Sequence, residues 1–380
     1  MNLKDISAIN YTVLDNFYGI FANCSLELMT NLDLSNFTNL SYLLSDREDE
    51  VGESLDIFNT INYSKVDSIY RLYENCFNMT SVKNSNTTNI KNAQLIFDHC
   101  YNLINLPEYD FSNVINAYGM FQYCNNLTTI PNYNFSNLKS SYGMFQGCTN
   151  LIYIPNLDTS KVNTMGYMFS GCTTLANAPV LNTENVRMMY NMFANCSNLV
   201  DISNISNYNT SNSNGFLGMF TECTNIKVGP NFITNKGVHL NRMFYGCTNL
   251  KSVPNYDLES CESVANMFTN CNLVIAPHFT NTSNIQDYDN MFDGCTNITD
   301  IPQYNTSSTI EMYQFANCCN NLSNSTIHNI INMALNSAVN NSTYMNFNNR
   351  NSYSPFSNTI YDQSYYSNRL SEIVSAGWTY

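Results

Sequence analysis

Basic residues are scarce in this chain: Lys and Arg number 15 of 380 residues against 29 Asp and Glu, for a formal net charge of −14. A nucleic-acid backbone or an anionic membrane surface needs clustered cations, so both are excluded as partners. Only 12% of residues are charged at all, and solubility has to come from amides and hydroxyls. No stretch approaches the run of about eighteen apolar residues that a membrane-spanning helix needs, so no membrane insertion is expected. The opening segment "MNLKDISAINYTVLDNFYGIF" lacks the basic head and apolar run of a secretory leader, and the closing "SEIVSAGWTY" carries no wall-sorting or lipidation signal. These readings point to a chain made in a cytoplasm.

Reactive-site motifs are missing too. There is no close C-x-x-C pair, no Cys/His spacing of a zinc site, no G-x-S-x-G elbow, no phosphate loop and no dinucleotide fingerprint. The four histidines (His99, His239, His278, His328) stand far apart. His99 beside Cys100 is the one neighbouring Cys-His arrangement, and Cys100 is better explained as one member of a series. The expectation is therefore no enzyme, no cofactor and no metal. The acidic stretch "DREDEVGES" (46–54) lacks the order of a calcium loop and is read as solvated, with a cation site as the alternative.

Repetition is present in abundance. Asn fills roughly one position in six, and 44% of residues are hydrophobic. An aromatic residue three before a Cys recurs from Phe21/Cys24 through Tyr73/Cys76, Phe97/Cys100, Phe121/Cys124, Phe145/Cys148, Phe169/Cys172 and Phe193/Cys196 to Phe220/Cys223, Phe244/Cys247, Phe268/Cys271, Phe292/Cys295 and Phe315/Cys318. From Cys76 to Cys196 every step is 24; one step of 27 follows, then three of 24, and Cys319 rather than Cys318 keeps the 24-step at the end. The interval from Cys24 to Cys76 hides a degenerate unit with Gly52 in the Cys place, which makes about thirteen units.

Within a unit, apolar residues follow the Cys at three-residue steps, as in Cys148, Leu151, Ile154 and Leu157. A coil explains this constant register, whereas a helix or an isolated strand does not. Each turn would supply a short strand near "LIYIP", a second side at "SKVNTM" and a tight turn at "YMF", and like side chains would stack between coils. Pro107, Pro131, Pro155, Pro179, Pro230, Pro254, Pro277 and Pro302 mark where pairing stops. Asn two after the Cys (Asn102, Asn126, Asn150, Asn198, Asn225, Asn249, Asn297) is read as a buried amide serving turn backbone. Stacked cysteines would be small buried thiols, poorly aimed for disulfides; Cys261 and one of the Cys318/Cys319 pair stand off the ladder. After Leu322 the spacing of "STIHNIINMALNSAV" predicts a helix capped by Ser325, and "SNRLSEIVSAGW" a second short one, so 1–322 is read as the repeat array and 323–380 as a helical C-terminal cap.

Two columns are candidate binding residues. Tyr109, Tyr133, Tyr256 and Tyr304 stand two after a Pro, and could grip a sugar or protein surface or else pack inward at the coil's corner. Asn105, Thr129, Tyr153, Asn177, Asp201, Ser252 and Asp300 should point outward and vary in type, as a recognition surface or any solvated strand does.

The unit "NLDTSKVNTMGYMFSGCTTL" resembles the repeat of the BspA-like leucine-rich-repeat family, whose line D-T-S-x-V-x-x-M-x-x-M-F-x-x-C-x-x-L falls on Asp158, Thr159, Ser160, Val162, Met165, Met168, Phe169, Cys172 and Leu175. Partial copies cover roughly residues 12–322. The resemblance implies a right-handed leucine-rich-type solenoid used for adhesion or recognition, on bacterial surfaces or in phage-encoded proteins. Without a leader or wall anchor, the reading favours a virion surface, with the bacterial cell surface as the alternative. Expected partners are a host cell-surface glycan or protein, other virion proteins and a homo-oligomeric copy. A scaffold in a virion assembly is the competing role.

Overall fold

The computed structural model describes residues 37–45, 65–82, 84 and 86–337. The chain divides into two compact units, Met1–Val186 and Arg187–Tyr380. The unit around Cys24, the acidic stretch 46–54 and the second expected helix lie outside the described residues.

In the first unit the backbone of each coil's "YMF" region is a ribbon of turns. Ile69, Arg71, Tyr73 and Asn75 donate their N–H groups to Asn92, Gln94, Ile96 and Asp98 of the next coil at 2.8–3.0 Å. Between them, Leu72, Glu74 and Cys76 donate to Ile69, Arg71 and Tyr73, three residues back. One set of N–H groups closes turns and the alternate set joins coils, so the polar backbone is satisfied without a strand. The turns need left-handed residues at two places per coil, Arg71 and Asn75 (φ 55° and 60°), then Leu95 and His99, and so on to Tyr167 and Gly171. Glycine takes the second place in the motif Met-Phe-x-Gly-Cys because it adopts φ +75° at Gly147 without cost, and a Cβ there would run into the Tyr123 ring.

The core stacks as columns. Tyr73, Phe97, Phe121, Phe145 and Phe169 lie ring over ring at 5.4–5.7 Å, their planes within 12° of parallel. Val162, Met165, Met168, Phe169 and Cys172 are fully buried. Asp158 accepts the Ser160 N–H at 3.0 Å and turns the chain. Thr159, also buried, donates its hydroxyl to the Asn182 carbonyl (2.9 Å) and accepts the Asn182 N–H (2.8 Å). The D-T-S triplet is thus a corner plus a bond to the next coil.

The second unit repeats this arrangement. Phe193, Phe220, Phe244, Phe268 and Phe292 stack at 5.5–5.8 Å within 10° of parallel, and Phe315 closes the stack edge-on to Phe292. The three extra residues of the 27-step form a 3-10 turn, Ile205–Asn207, with Ile205 buried, so Phe193 and Phe220 stay in register at 5.8 Å. Helix α1 (Asn324–Asn336) buries Ile327, Ile330, Ile331 and Met333 against the final coil. Its Thr326 hydroxyl accepts the Ile301 N–H (2.9 Å) and donates to the Thr299 carbonyl (3.1 Å), as the next coil's groups would.

Four expectations are corrected. A strand in every coil is not what forms: among the described residues pairing is confined to isolated parallel bridges, chiefly the column Ser68, Asn92, Asn116, Ser140, Thr164 and the column Met188, Gly215, His239, Ser263, Asp287, Glu311. Turn closure consumes every second donor of the ribbon, and on the "LIYIP" side the bridges are likewise isolated, among them Ser81–Asn105, Val228–Ser252 and Ile275–Asp300. Gly52 is not the degenerate unit's ladder position. Leu44 takes the aromatic place of this unit, because its N–H donates to Leu72 and its carbonyl accepts the Cys76 thiol, so the Cys place falls three residues later, at 47, outside the described residues. The cap of α1 is Ser323, whose hydroxyl accepts the Thr326 N–H, not Ser325. The asparagines after the Cys are half-buried or exposed rather than buried; Asn126 donates to Asn102 (3.1 Å) and Asn249 to the Thr224 carbonyl (2.9 Å) at the surface.

Phe145 stacks on both Phe121 and Phe169. Phe145→Ala opens a cavity in the middle of the column and is expected to cost about 3–5 kcal/mol. Urea unfolding followed by far-UV dichroism checks this; a loss under about 1 kcal/mol would show that the column does not hold the coils together.

Candidate functional site

The cysteines are the chain's most numerous reactive groups, and the fold disarms them. None of the thirteen described cysteines is in a disulfide, and all but Cys318 are buried. In the first unit the thiols of Cys100, Cys124, Cys148 and Cys172 donate to the carbonyls of Tyr73, Phe97, Phe121 and Phe145 at 3.0–3.2 Å. Those of Cys223, Cys247, Cys271, Cys295 and Cys319 do the same in the second unit at 2.9–3.1 Å. Burial pushes these thiols far from ionisation, Cys261 and Cys295 to about 12 and Cys100 and Cys124 well above the ordinary range. A thiol that stays protonated is neither nucleophile nor metal ligand. Cys319 keeps the ladder position and Cys318, half-buried, occupies the left-handed one.

His99 and Cys100 are not a pair. The Cys100 thiol points to Tyr73, whereas the His99 ring lies 2.7 Å from the Asp98 carboxylate and against Tyr123 at 4.6 Å. Burial lifts Asp98 to about 6 although His99 pulls it down.

One carboxylate group is a cation candidate among the described residues: single oxygens of Asp287, Asp289 and Glu311 lie within 4.8 Å of one another. Asp287 accepts the Ser263 hydroxyl (2.8 Å) and the Asp289 N–H (2.9 Å). Asp289 accepts the Tyr313 N–H at 2.5 Å. Burial raises the Asp289 carboxyl to about 6, the Tyr313 N–H lowers it, and Asp287 and Glu311 raise it further. Nothing in the sequence flagged this group, because its members come from two coils and become neighbours only through the 24-residue step.

The tyrosine column is corrected. Tyr109, Tyr133, Tyr256 and Tyr304 are all buried, between 1% and 7% exposed. Tyr133, Tyr256 and Tyr304 donate their hydroxyls to the Pro107, Pro230 and Pro277 carbonyls of the preceding coil at 2.8–2.9 Å. They brace the proline corner and offer no ring to a ligand.

The outward column is where the spacing puts it. Asn105, Thr129, Tyr153, Asn177, Asp201 and Ser252 are exposed, Tyr153 at 62%. Asp300 is only half-buried and is occupied, accepting the Thr299 and Ser323 hydroxyls at 2.8 Å each. A second outward column went unread: Ile104, Ile152, Val200 and Val274 are 48–61% exposed, and Lys227 and Lys251 are exposed beside them. The signal was present. Core residues at three-residue steps, Leu151 and Ile154, leave both Ile152 and Tyr153 outside, where an alternating strand would have left one.

A profile described as "Mycoplasma protein of unknown function, DUF285" matches residues 14–129, 125–228 and 174–277. One described as "BspA type Leucine rich repeat region (6 copies)" matches 240–346 and 265–375. No curated protein matches the chain. Similar solved structures include a leucine rich cell surface protein from Faecalibacterium prausnitzii, at 20% identity over 70% of this chain and 79% of that one, with a TM-score of 0.36. A leucine-rich repeat protein from Bacteroides ovatus shows 16% identity over 67% and 87%, with a TM-score of 0.30.

Two predictions follow from the titratable groups. Iodoacetamide labelling of the folded protein, mapped by peptide, should modify Cys318 first among the described cysteines, and the ladder thiols at least about a hundredfold more slowly. Equal rates would mean the ladder is open. Asp289 is raised in the folded state, so its charge destabilises above pH 6, and that burden disappears as pH falls through about 6 toward the unfolded value. Asp289→Asn should therefore stabilise at pH 7.5 by on the order of 1 kcal/mol, with the gain vanishing near pH 4.5. Thermal melts of both proteins across that range test it, and a gain that grows on acidification would refute the assignment.

Proposed function

We propose a non-enzymatic recognition role from one premise: this chain belongs to the family described as Mycoplasma protein of unknown function, DUF285, and it carries BspA-type leucine-rich repeats. It binds a protein on a host cell surface through the two outward columns of the "LIYIP" side, from an exposed place on a bacterial cell or a virion. A right-handed winding of about thirteen coils over residues 1–322, closed by a helical cap over 323–380, belongs to the same reading.

The observation that carries it is a division of labour. The buried columns hardly change from coil to coil, whereas the outward pairs run Ile104-Asn105, Thr128-Thr129, Ile152-Tyr153, Ala176-Asn177. No packing demand accounts for an isoleucine and a tyrosine each more than 60% exposed side by side. Tyrosine and aliphatic side chains ringed by amides are the composition of a binding hot spot.

Fluorescently labelled chain is expected to stain whole host cells, and protease treatment of the cells should abolish the staining. Ile152→Asp combined with Tyr153→Asp should weaken binding at least about tenfold, because it charges the centre of the contact. Both positions are exposed, so the melting temperature should stay within about 2 °C. Protease-resistant staining together with a glycan-array signal would assign a sugar instead; absence of any cell binding would leave the scaffold role.

A further inference from the structure

We infer that the second unit's stretch of this face, around Lys227 and Lys251, takes an extended acidic segment of the partner protein. The inference rests on the recognition reading for the face and adds the chemistry of what binds there.

Lys227 and Lys251 occupy the same outward position in successive coils, both exposed, their backbones joined by the Lys251 N–H to the Lys227 carbonyl at 2.9 Å. Successive coils stand about 4.8 Å apart, so two ammonium groups share one small surface. Ion pairs elsewhere in the described residues, such as Arg71–Glu74, Lys91–Asp67 and Asp98–His99, do not involve either lysine. Asp201, in the coil before, accepts the Ser203 N–H through one oxygen and keeps its charge, but it forms no ion pair with either lysine. In a chain of net charge −14, an adjacent cation pair left without a carboxylate is a local exception to the surface around it. It invites an anion rather than completing an internal network.

The flanking residues say which anion. Val228, Val274 and Ile275 are 48–55% exposed, and Val200, one coil before, is 56% exposed. No aromatic ring stands in this set of outward positions, so a sugar has nothing to stack on, and a sulfated polysaccharide would leave the aliphatic side chains uncovered. A polypeptide supplies both halves. In an extended strand, residues i and i+2 point the same way about 6.7 Å apart, a spacing two flexible lysine side chains can meet. Aliphatic side chains between the carboxylates cover Val228 and Ile275.

The test uses the full chain and fluorescence anisotropy with three probes: a peptide of about nine residues alternating Glu with Val and Thr, its Gln-for-Glu counterpart, and heparin. The glutamate peptide should bind, about tenfold more tightly than the glutamine one, and should weaken as salt is raised. Lys227→Gln with Lys251→Gln, and separately Lys227→Glu with Lys251→Glu, should reduce glutamate-peptide binding to the level of the glutamine peptide. Equal binding of the two peptides, retention of binding in both lysine variants, or binding of heparin but not the glutamate peptide would overturn the inference. So would salt-sensitive self-association removed by the same substitutions, which would assign the patch to a second copy. Cell staining that survives while peptide binding is absent would remove this inference and leave the recognition role standing.

Discussion

Everything in each unit hangs on one carbonyl per coil, that of the stacked aromatic residue. In the first unit the Phe97 carbonyl accepts the Cys100 N–H at 3.1 Å from its own coil and the Cys124 thiol at 3.2 Å from the next. Its two lone pairs are filled from two directions, and the ring attached to the same residue sits 5.6 Å from Phe121. One residue thereby closes the turn, joins the coils and fills the core. The thiol suits this place because it is small, tolerates complete burial and still donates one bond. Alanine would leave the carbonyl with a single partner. The ladder cysteines are therefore joints between coils, whereas Cys261 and Cys318 stand outside the series.

That constraint explains why so much of the fold was legible. The 24-residue step, the three-residue spacing of Leu151, Ile154 and Leu157, the glycine before the Cys and the choice of Cys319 over Cys318 are each direct imprints of the stacking. The misreadings share a cause as well. A strand was expected at "LIYIP" because the segment is apolar and β-branched, yet Ile152 and Tyr153 both send their N–H groups to the one Thr128 carbonyl, which makes a single point of contact rather than a ladder. Tyr133 and Tyr256 looked like ligand contacts because tyrosine is ambiguous by composition; only the position of the Pro107 and Pro230 carbonyls, set by coil geometry, turns them inward. The Gly52 assignment failed because counting in steps of 24 cannot see an insertion placed after the ladder residue. The Asp287, Asp289 and Glu311 group was out of reach for a different reason. Its chemistry is a property of the interval between coils, and no single stretch of sequence contains it.

The site followed the same logic to a lesser extent. A column demanded by packing must be nearly constant, and Phe, Met, Cys and Thr159-type positions are. A column free of that demand can drift, and the drift is where any selection for binding would be recorded. Spacing points to the free column before the Pro-preceding apolar residue, and the same three-residue step of the core leaves its neighbour free as well.

The freedom of those columns is itself a physical consequence of the turn-built coil. A strand face buried by pairing alternates inward and outward, so half its residues answer to the core. Here the core takes one residue in three along the Cys-to-Pro segment, and two adjacent side chains per coil are released to solvent. Two neighbours in one coil and two in the next make a contact patch of four side chains whose identities no packing requirement links. Ile152 with Tyr153 in one unit, and Lys227 with Val228 beside Lys251 in the other, are two such patches of different chemistry on one scaffold. A fold that spends its aromatic rings, thiols and threonine hydroxyls on holding coils together leaves recognition to these pairs, and specificity can change coil by coil without touching the bonds that keep the coils in register.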